Sequence, residues 1–290
     1  MKIIQSYAHF DEGTPRLDGI DDKNKIYLSF YSFLLSFLTL KKYYNNITMY
    51  CNKNAQKKLI KYIPYDKVNI VENKNSSLFW SYYKIDIIKL MTNDFIHVDS
   101  DVFIFDDLFS KFIQSKQYDI LIQNKIPKDA NYVRDYADQY KKFLIKSNIF
   151  DPTSYDGECL SCGTIGMRIG FKDGYINVCE AMKNEFINNN TTNNLYIGMA
   201  CEELALYFYA IKNKLKTYEI LSHENILKHG ERGAGNLHKY THMYFNSKFK
   251  VEYVKLIRNK IYKEFPNYIN YVEKYESDVM KNFDFFKQIC

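Results

Sequence analysis

The chain has one Trp, only one closely spaced pair of cysteines, no long apolar run, and no repeat, low-complexity tract or Pro/Ser-rich linker. Each lack excludes something. Of Cys51, Cys159, Cys162, Cys179, Cys201 and Cys290, only Cys159 and Cys162 form a C-x-x-C, so a zinc ribbon is not expected. The start, Met1 to Tyr7, has neither an apolar h-region nor a small-residue cleavage site. Reduced thiols in a cytoplasm are therefore expected. The most apolar stretch, Ile26 to Leu40, would reach about 22 Å as a helix, short of a hydrocarbon core of about 30 Å. It also carries Ser29, Ser32 and Ser36. A buried helix is expected there, with no transmembrane anchor.

Basic residues outnumber acidic ones only mildly, 40 to 34, for a net charge of +6. That dispersed balance lacks the dense stripe of a nucleic-acid binder. It suits a polyanionic small ligand, such as a nucleotide diphosphate, or peripheral contact with an anionic membrane surface. The 27 Tyr and 21 Phe recur at no fixed spacing, so they read as compositional bias and not as an aromatic binding surface.

Along the chain, Lys2–Ser6 reads as a first, central strand, followed by a polar loop from Asp11 to Lys25 and the apolar helix. Asn46–Cys51 reads as a strand, Ala55–Tyr62 as a helix ending before Pro64, and Lys67–Val71 as a strand. Ser77 is a candidate cap for a helix over Leu78–Met91. Phe95–Phe105 is strongly apolar around an Asp-Ser-Asp, and Gln117–Gln123 holds another strand. This alternation predicts βαβ units. Residues 124–158 are polar and tyrosine-rich. Cys162–Gly170 then reads as a glycine-punctuated strand, and Met199–Lys212 and Lys260–Phe286 read as helices. The expected fold is α/β, with a mixed, mostly parallel sheet flanked by helices in a single domain over 1–290. Within it, 1–125 is expected to bind the nucleotide and 126–290, with its C-terminal helices, the acceptor.

The chemistry concentrates at Asp99 and Asp101. Residues two apart on a strand share a face, so both carboxylates can converge on one ligand if the backbone bends slightly. Carboxylate oxygens suit Mg²⁺ or Mn²⁺. A carboxylate pair at the end of a parallel strand also sits where open α/β sheets bind ligands. A lone D-x-D is a weak signal, but here two charges interrupt an otherwise buried run, which is unfavourable unless a metal or partner compensates.

The segment Phe95-Ile-His-Val-Asp-Ser-Asp-Val-Phe-Ile-Phe105 resembles the D-x-D strand of GT-A (Rossmann-like) glycosyltransferases. Trp80–Asp86 is similar to the basic-residue helix those enzymes place just upstream, and His242-Met-Tyr-Phe-Asn-Ser-Lys248 resembles the H-x-x-G-x-x-K element of glycosyltransferase family 8, the glycogenin and lipooligosaccharide galactosyltransferase group. The resemblance implies Asp99, Asp101 and His242 as metal ligands. It implies Tyr7, Lys84, Asp99, Ser100, Asp101, Cys162, Gly163 and Lys248 as donor-binding residues, with Lys248 on the diphosphate. Phe245 stands where that element has glycine, and Phe249-Lys250 where it has Pro-Trp, which puts its backbone path in question. His223, His229 and His238 compete for the third ligand position.

Cys162-Gly-Thr-Ile-Gly166 resembles the Asn-x-Gly strand beneath the donor sugar, although a buried strand packed closely at glycine accounts for it equally. Glu202 and Glu203 fall near the family's acidic element and are the catalytic candidates, while a helix dipole alone also favours acids there. Gly230–Asn236 lacks P-loop order and reads as a lid. The expected activity is transfer of a sugar from a nucleotide-diphosphate donor, a UDP-sugar above others, to a hydroxyl of a glycan or glycolipid, with Mn²⁺ or Mg²⁺ and retention of configuration. The alternatives are a non-catalytic nucleotide-sugar or glycan-binding protein with a degenerate site, and a haloacid-dehalogenase phosphatase. Phe103, standing where the phosphatase D-x-D-x-[TV] pattern needs Thr or Val, argues against the phosphatase.

Overall fold

The computed structural model describes residues 1–9, 22–72, 81–126, 158–188, 198, 200–222, 225, 239–243, 249–282 and 286. Strand and helix alternate at first: β1 (Lys2–Tyr7), α1 (Asp22–Lys41), β2 (Ile47–Cys51), α2 (Lys53–Lys58), β3 (Lys67–Ile70), α3 (Tyr82–Lys89), β4 (Phe95–Val98), β5 (Val102–Ile104), α4 (Ser110–Gln114) and β6 (Ile120–Ile122). Then come β7 (Lys125–Ile126), β8 (Cys159–Leu160), β9 (Thr164–Met167), α5 (Ile169–Asn188), α6 (Ala205–Lys212), β10 (Thr217–Glu219), β11 (Tyr240–His242), α7 (Val251–Glu264) and α8 (Ile269–Asp278). The main sheet has the order β10-β6-β9-β4-β1-β2-β3. β2 runs parallel to β1 and β3, β10 runs parallel to β6, and β9 is antiparallel to β6. The fold is thus α/β with a mixed, mostly parallel sheet flanked by helices, as the sequence predicts. No helix among the described residues is long and apolar enough to cross a membrane.

Two compact units interleave along the chain: Met1–Lys2, Lys74–His97 and Leu108–Ile226 form the first, and Ile3–Asn73, Val98–Asp107 and Leu227–Cys290 form the second. In the first, β9 lies against β6, α3 packs on α5, and α5 packs on α6. Gly166 on β9 is a point of close approach, since a Cβ there would sit 2.9 Å from both Leu121 Cβ and Phe112 Cε1. That is the packing role a strand glycine serves, because any side chain would push Phe112 away.

In the second unit, α1 packs on β2 and β5 and is apolar on nearly every side, so it is buried from Leu28 to Leu40. It begins at Asp22, inside the segment expected to be loop. A buried cluster joins it to the C-terminal helices. The Tyr31 hydroxyl donates to Glu276 Oε1 at 2.9 Å, Arg258 grips both oxygens of Glu276 at 2.7 and 3.2 Å, and Phe30 stacks on Tyr275 at 3.8 Å. Tyr31→Phe removes one hydrogen bond to a charged group while Arg258 still pairs with Glu276, so it should cost about 1–2 kcal/mol. The check is urea unfolding, where the midpoint should fall with an unchanged slope.

Four expectations about elements need correction. Phe95–Phe105 is not one bent strand: β4 stops at Val98, and β5 joins a separate two-stranded sheet with β11. The helix expected over Lys260–Phe286 is α7 and α8, broken at Pro266. Proline has no N–H to donate, and its ring clashes with the carbonyl four residues back, so the first helix ends at Glu264. Ala55–Tyr62 divides into α2 and a 3₁₀ turn over Ile60–Tyr62. Cys162–Gly170 is a strand only over Thr164–Met167, and Gly170 already lies in α5. Ser77, Leu78 and the tyrosine-rich segment from Pro127 to Gly157 lie outside the described residues.

Candidate metal centre

The site is built on the break between β4 and β5. Buried β4 delivers the chain to Asp99, and a tight turn, closed by Val102 N–H donating to Asp99 C=O at 3.0 Å, sends it into β5. Both aspartates lie on that turn, with Ser100 between them. β11 runs antiparallel to β5 in a register that sets His242 opposite Val102. Met243 N–H donates to Asp101 C=O at 3.0 Å, and Phe105 N–H donates to Lys239 C=O at 2.8 Å. Lys239 Nζ also pairs with Asp106 at 2.9 Å, which holds the Asp106 carboxyl below its ordinary range.

The structure therefore brings together Asp99, Asp101 and His242, whose ligand atoms all lie within 4.8 Å of one another. His242 Nε2 is 3.3 Å from Asp101 Oδ1, and both residues are buried. The donor set fits a hard divalent ion: two carboxylates supply oxygens, and a neutral imidazole, a common metal ligand, can complete the set. The ligand atoms lie close enough that all three residues could hold one divalent ion between them. Whatever the backbone path past Phe245, His242 itself is fixed by β11.

Tyr7, at the carboxyl end of β1, lies edge-on to Phe33 at 4.8 Å, and burial pushes its phenol pKa up. Lys248, Phe245, His223, His229, His238 and Gly230–Asn236 lie outside the described residues.

The first unit holds a second cluster of expected residues. Lys84 on α3 is buried and pairs with Glu202 Oε1 while donating to Cys162 C=O at 3.0 Å. A solvated helix lysine, the ordinary expectation for that residue type, is therefore excluded. Cys162 and Gly163 are buried just ahead of β9. Glu202 and Glu203 do not open an α-helix. They sit in a π-helical turn, Ala200–Leu204, leading into α6, and both are buried. Such turns recur at functional positions because the widened backbone re-aims side chains. His97 is wholly buried, and burial together with the Lys84 ammonium holds its pKa well below the ordinary imidazole value, so the ring is neutral.

Sequence reasoning missed three residues at the turn. Gln5 on β1 and Ser32 and Ser36 on α1 all reach its carbonyls. The serines were legible only as a dilution of an apolar helix. Their recurrence four residues apart on one face was the available signal.

No curated protein matches the chain in sequence. Solved structures with a similar backbone include the inositol-1-phosphate CTP transferase from T. maritima, with a TM-score of 0.47 and 10% identity over 90% of this chain and 96% of that one. The galactosyltransferase LgtC in complex with donor and acceptor sugar analogs matches with a TM-score of 0.43 and 9% identity, over 83% of this chain and 86% of its own. Mouse xyloside xylosyltransferase 1 matches with a TM-score of 0.35 and 12% identity, over 74% and 76%. The model of DUF6734, described as a family of unknown function, matches residues 1–275, and the chain belongs to that family.

Proposed function

We propose that this protein is a metal-dependent glycosyltransferase that moves a sugar from a nucleotide-diphosphate donor, a UDP-sugar first among candidates, to a hydroxyl of a glycan or glycolipid with retention of configuration. The observation that carries the reading is the convergence of Asp99, Asp101 and His242, from opposite ends of the sequence resemblance, on one point of the second unit. A half-buried Asp99 carboxylate and a buried Asp101 carboxylate this close repel each other unless a cation lies between them. Mn²⁺ or Mg²⁺ bound there would offset charge developing on a diphosphate leaving group. Asp99 and Asp101 would hold it from the turn and His242 from β11, which is paired to β5. Lys248 as a diphosphate contact and Tyr7 beside the base remain part of the proposal on the resemblance alone, as do Ser100, Cys162 and Gly163 toward the donor.

Glu202 and Glu203 keep the catalytic candidacy. An inverting enzyme needs a carboxylate placed as general base, and the Glu202 carboxylate is already engaged by Lys84. Retention stays the preferred course, and Glu202 and Glu203 both stay candidates.

The rival reading, a non-catalytic nucleotide-sugar or glycan binder, takes the 3.3 Å His242–Asp101 contact as a plain ion pair. A panel of nucleotide sugars, incubated with the protein with and without Mn²⁺, separates the two. Nucleotide release that requires Mn²⁺ is the expected result. Saturable binding without release would establish the binder, and phosphate release from simple monoesters would replace both readings with a phosphatase.

A further inference from the structure

The turn that carries the acidic pair is held from beneath by a relay that runs from half-buried Tyr65 through buried Gln5 and Ser36. Tyr65 O–H donates to Gln5 Oε1 at 2.9 Å, Gln5 Nε2 donates to Ser36 Oγ at 2.8 Å, and Ser36 O–H donates to Val102 C=O at 2.6 Å. The direction is fixed by chemistry. Ser36 Oγ receives the amide of Gln5, so its one proton is left for the turn. One helical turn back, Ser32 O–H donates to Ser100 C=O at 3.1 Å. One turn forward, Thr39 Oγ1 accepts Ile104 N–H at 3.1 Å. Asp99 C=O lies 3.4 Å from both Gln5 Nε2 and Ser36 Oγ. Ser32, Ser36 and Thr39 fall at helical spacing on a single face of α1, and each is at most 1% exposed.

Mid-helix serines ordinarily bond back to their own helix and bend it. Here Ser32 and Ser36 point across to a neighbouring segment, while Thr39 donates to Ser36 C=O at 3.0 Å and accepts from that segment at Ile104 N–H, so that together they grip the stretch Ser100–Ile104. The α1 hydroxyls named here meet this stretch through its backbone groups, and the backbone they hold aims the Asp99 and Asp101 side chains. We propose that Ser36, with Ser32 and Gln5, is a positioning residue: the hydroxyl face of α1 sets the separation and direction of the two carboxylates and so tunes their affinity for a divalent cation. This rests on the metal reading of the site, and it adds residues that contact neither metal nor substrate.

The probe is Mn²⁺ alone, titrated into the full-length chain and followed by the EPR signal of the free ion, beside urea unfolding of each variant. Ser36→Ala should weaken Mn²⁺ binding by about 10–100-fold, the usual loss when an outer partner of a ligand is removed. Ser32→Ala, which breaks a single bond and keeps the relay, should give a smaller loss in the same direction. Ser36→Thr restores the hydroxyl and should recover most of the affinity. Tyr31→Phe, on the same helix but away from the turn, should lower the unfolding midpoint and leave Mn²⁺ affinity within about twofold, which separates aiming from general stability. Wild-type affinity in both serine variants would overturn the inference while leaving the metal site standing, as would a loss in Tyr31→Phe equal to that in Ser36→Ala. A wild-type chain that fails to take up Mn²⁺ would instead overturn the metal reading itself, and this inference with it.

Discussion

Asp101→Ala should reduce Mn²⁺-dependent nucleotide release by about 10³-fold or more, and it should do so without unfolding the protein. The activity loss follows from what a divalent ion contributes at a diphosphate, several kcal/mol of charge stabilisation at about 1.4 kcal/mol for each tenfold in rate. The fold survives because Asp101 is tied into β5 and β11 through its carbonyl, which accepts Met243 N–H at 3.0 Å, and alanine keeps that bond. The two carboxylates crowd within 4.8 Å, so in metal-free buffer the variant loses a repulsion and a buried charge. Its stability with chelator present should therefore equal or exceed that of the wild type, a trade seen wherever a functional site is strained for its task. Mn²⁺ should reverse the order. At a hundred times its dissociation constant it stabilises a binding-competent chain by about 2.7 kcal/mol, and the variant should gain almost nothing. Equal Mn²⁺-induced shifts in melting temperature for the two proteins would remove Asp101 from the metal set, whatever happened to activity.

The contrast between what the sequence disclosed here and what it hid is physical. Asp99 and Asp101 stood out because charge inside an apolar run demands a partner. β2 and α1 stood out because their residues are apolar over lengths that only a strand or a buried helix explains. The turn at Asp99–Asp101 did not, since Val98 and Val102 are equally apolar and a strand buried on both faces has the same composition as two strands in different sheets. What ends β4 is tertiary: hydroxyls of α1 and the pairing with β11 hold the chain in its turn. Local pattern carries no record of such partners. The break at Pro266 was legible, by contrast, and should have divided the C-terminal helix on backbone chemistry alone. Lys84 shows the opposite limit. A lysine on a helix reads as solvated, and its partner Glu202 lies 118 residues further along the chain.

That pair yields the largest expected effect on stability. Lys84→Met leaves the Glu202 carboxylate buried without the Lys84 counter-charge, and Glu202→Leu leaves the buried Lys84 ammonium without the Glu202 carboxylate. Each single change should cost about 3–5 kcal/mol, the usual result of stranding one member of a buried ion pair. The double variant Lys84→Met/Glu202→Leu strands neither and replaces both with apolar groups of similar bulk. It should return to within about 1–2 kcal/mol of the wild type, giving a coupling of at least about 2 kcal/mol in the cycle. Urea unfolding of the four proteins measures it, and additive single losses would mean that the two groups do not share one buried interaction. The restored double variant then answers a question the singles cannot. If the pair serves only to hold α3 against the π-helical turn, a stable chain lacking both charges should release nucleotide at the wild-type rate. If α3 carries Lys84 there for its charge, as a donor-side cation whose neighbour keeps it in place, that same stable chain should be slow. A polar pair is a poor way to stabilise a core, since apolar residues of equal volume do as well or better. Its place next to a π-helical turn and a neutral, wholly buried His97 therefore favours the second outcome, with stability recovered and turnover lost.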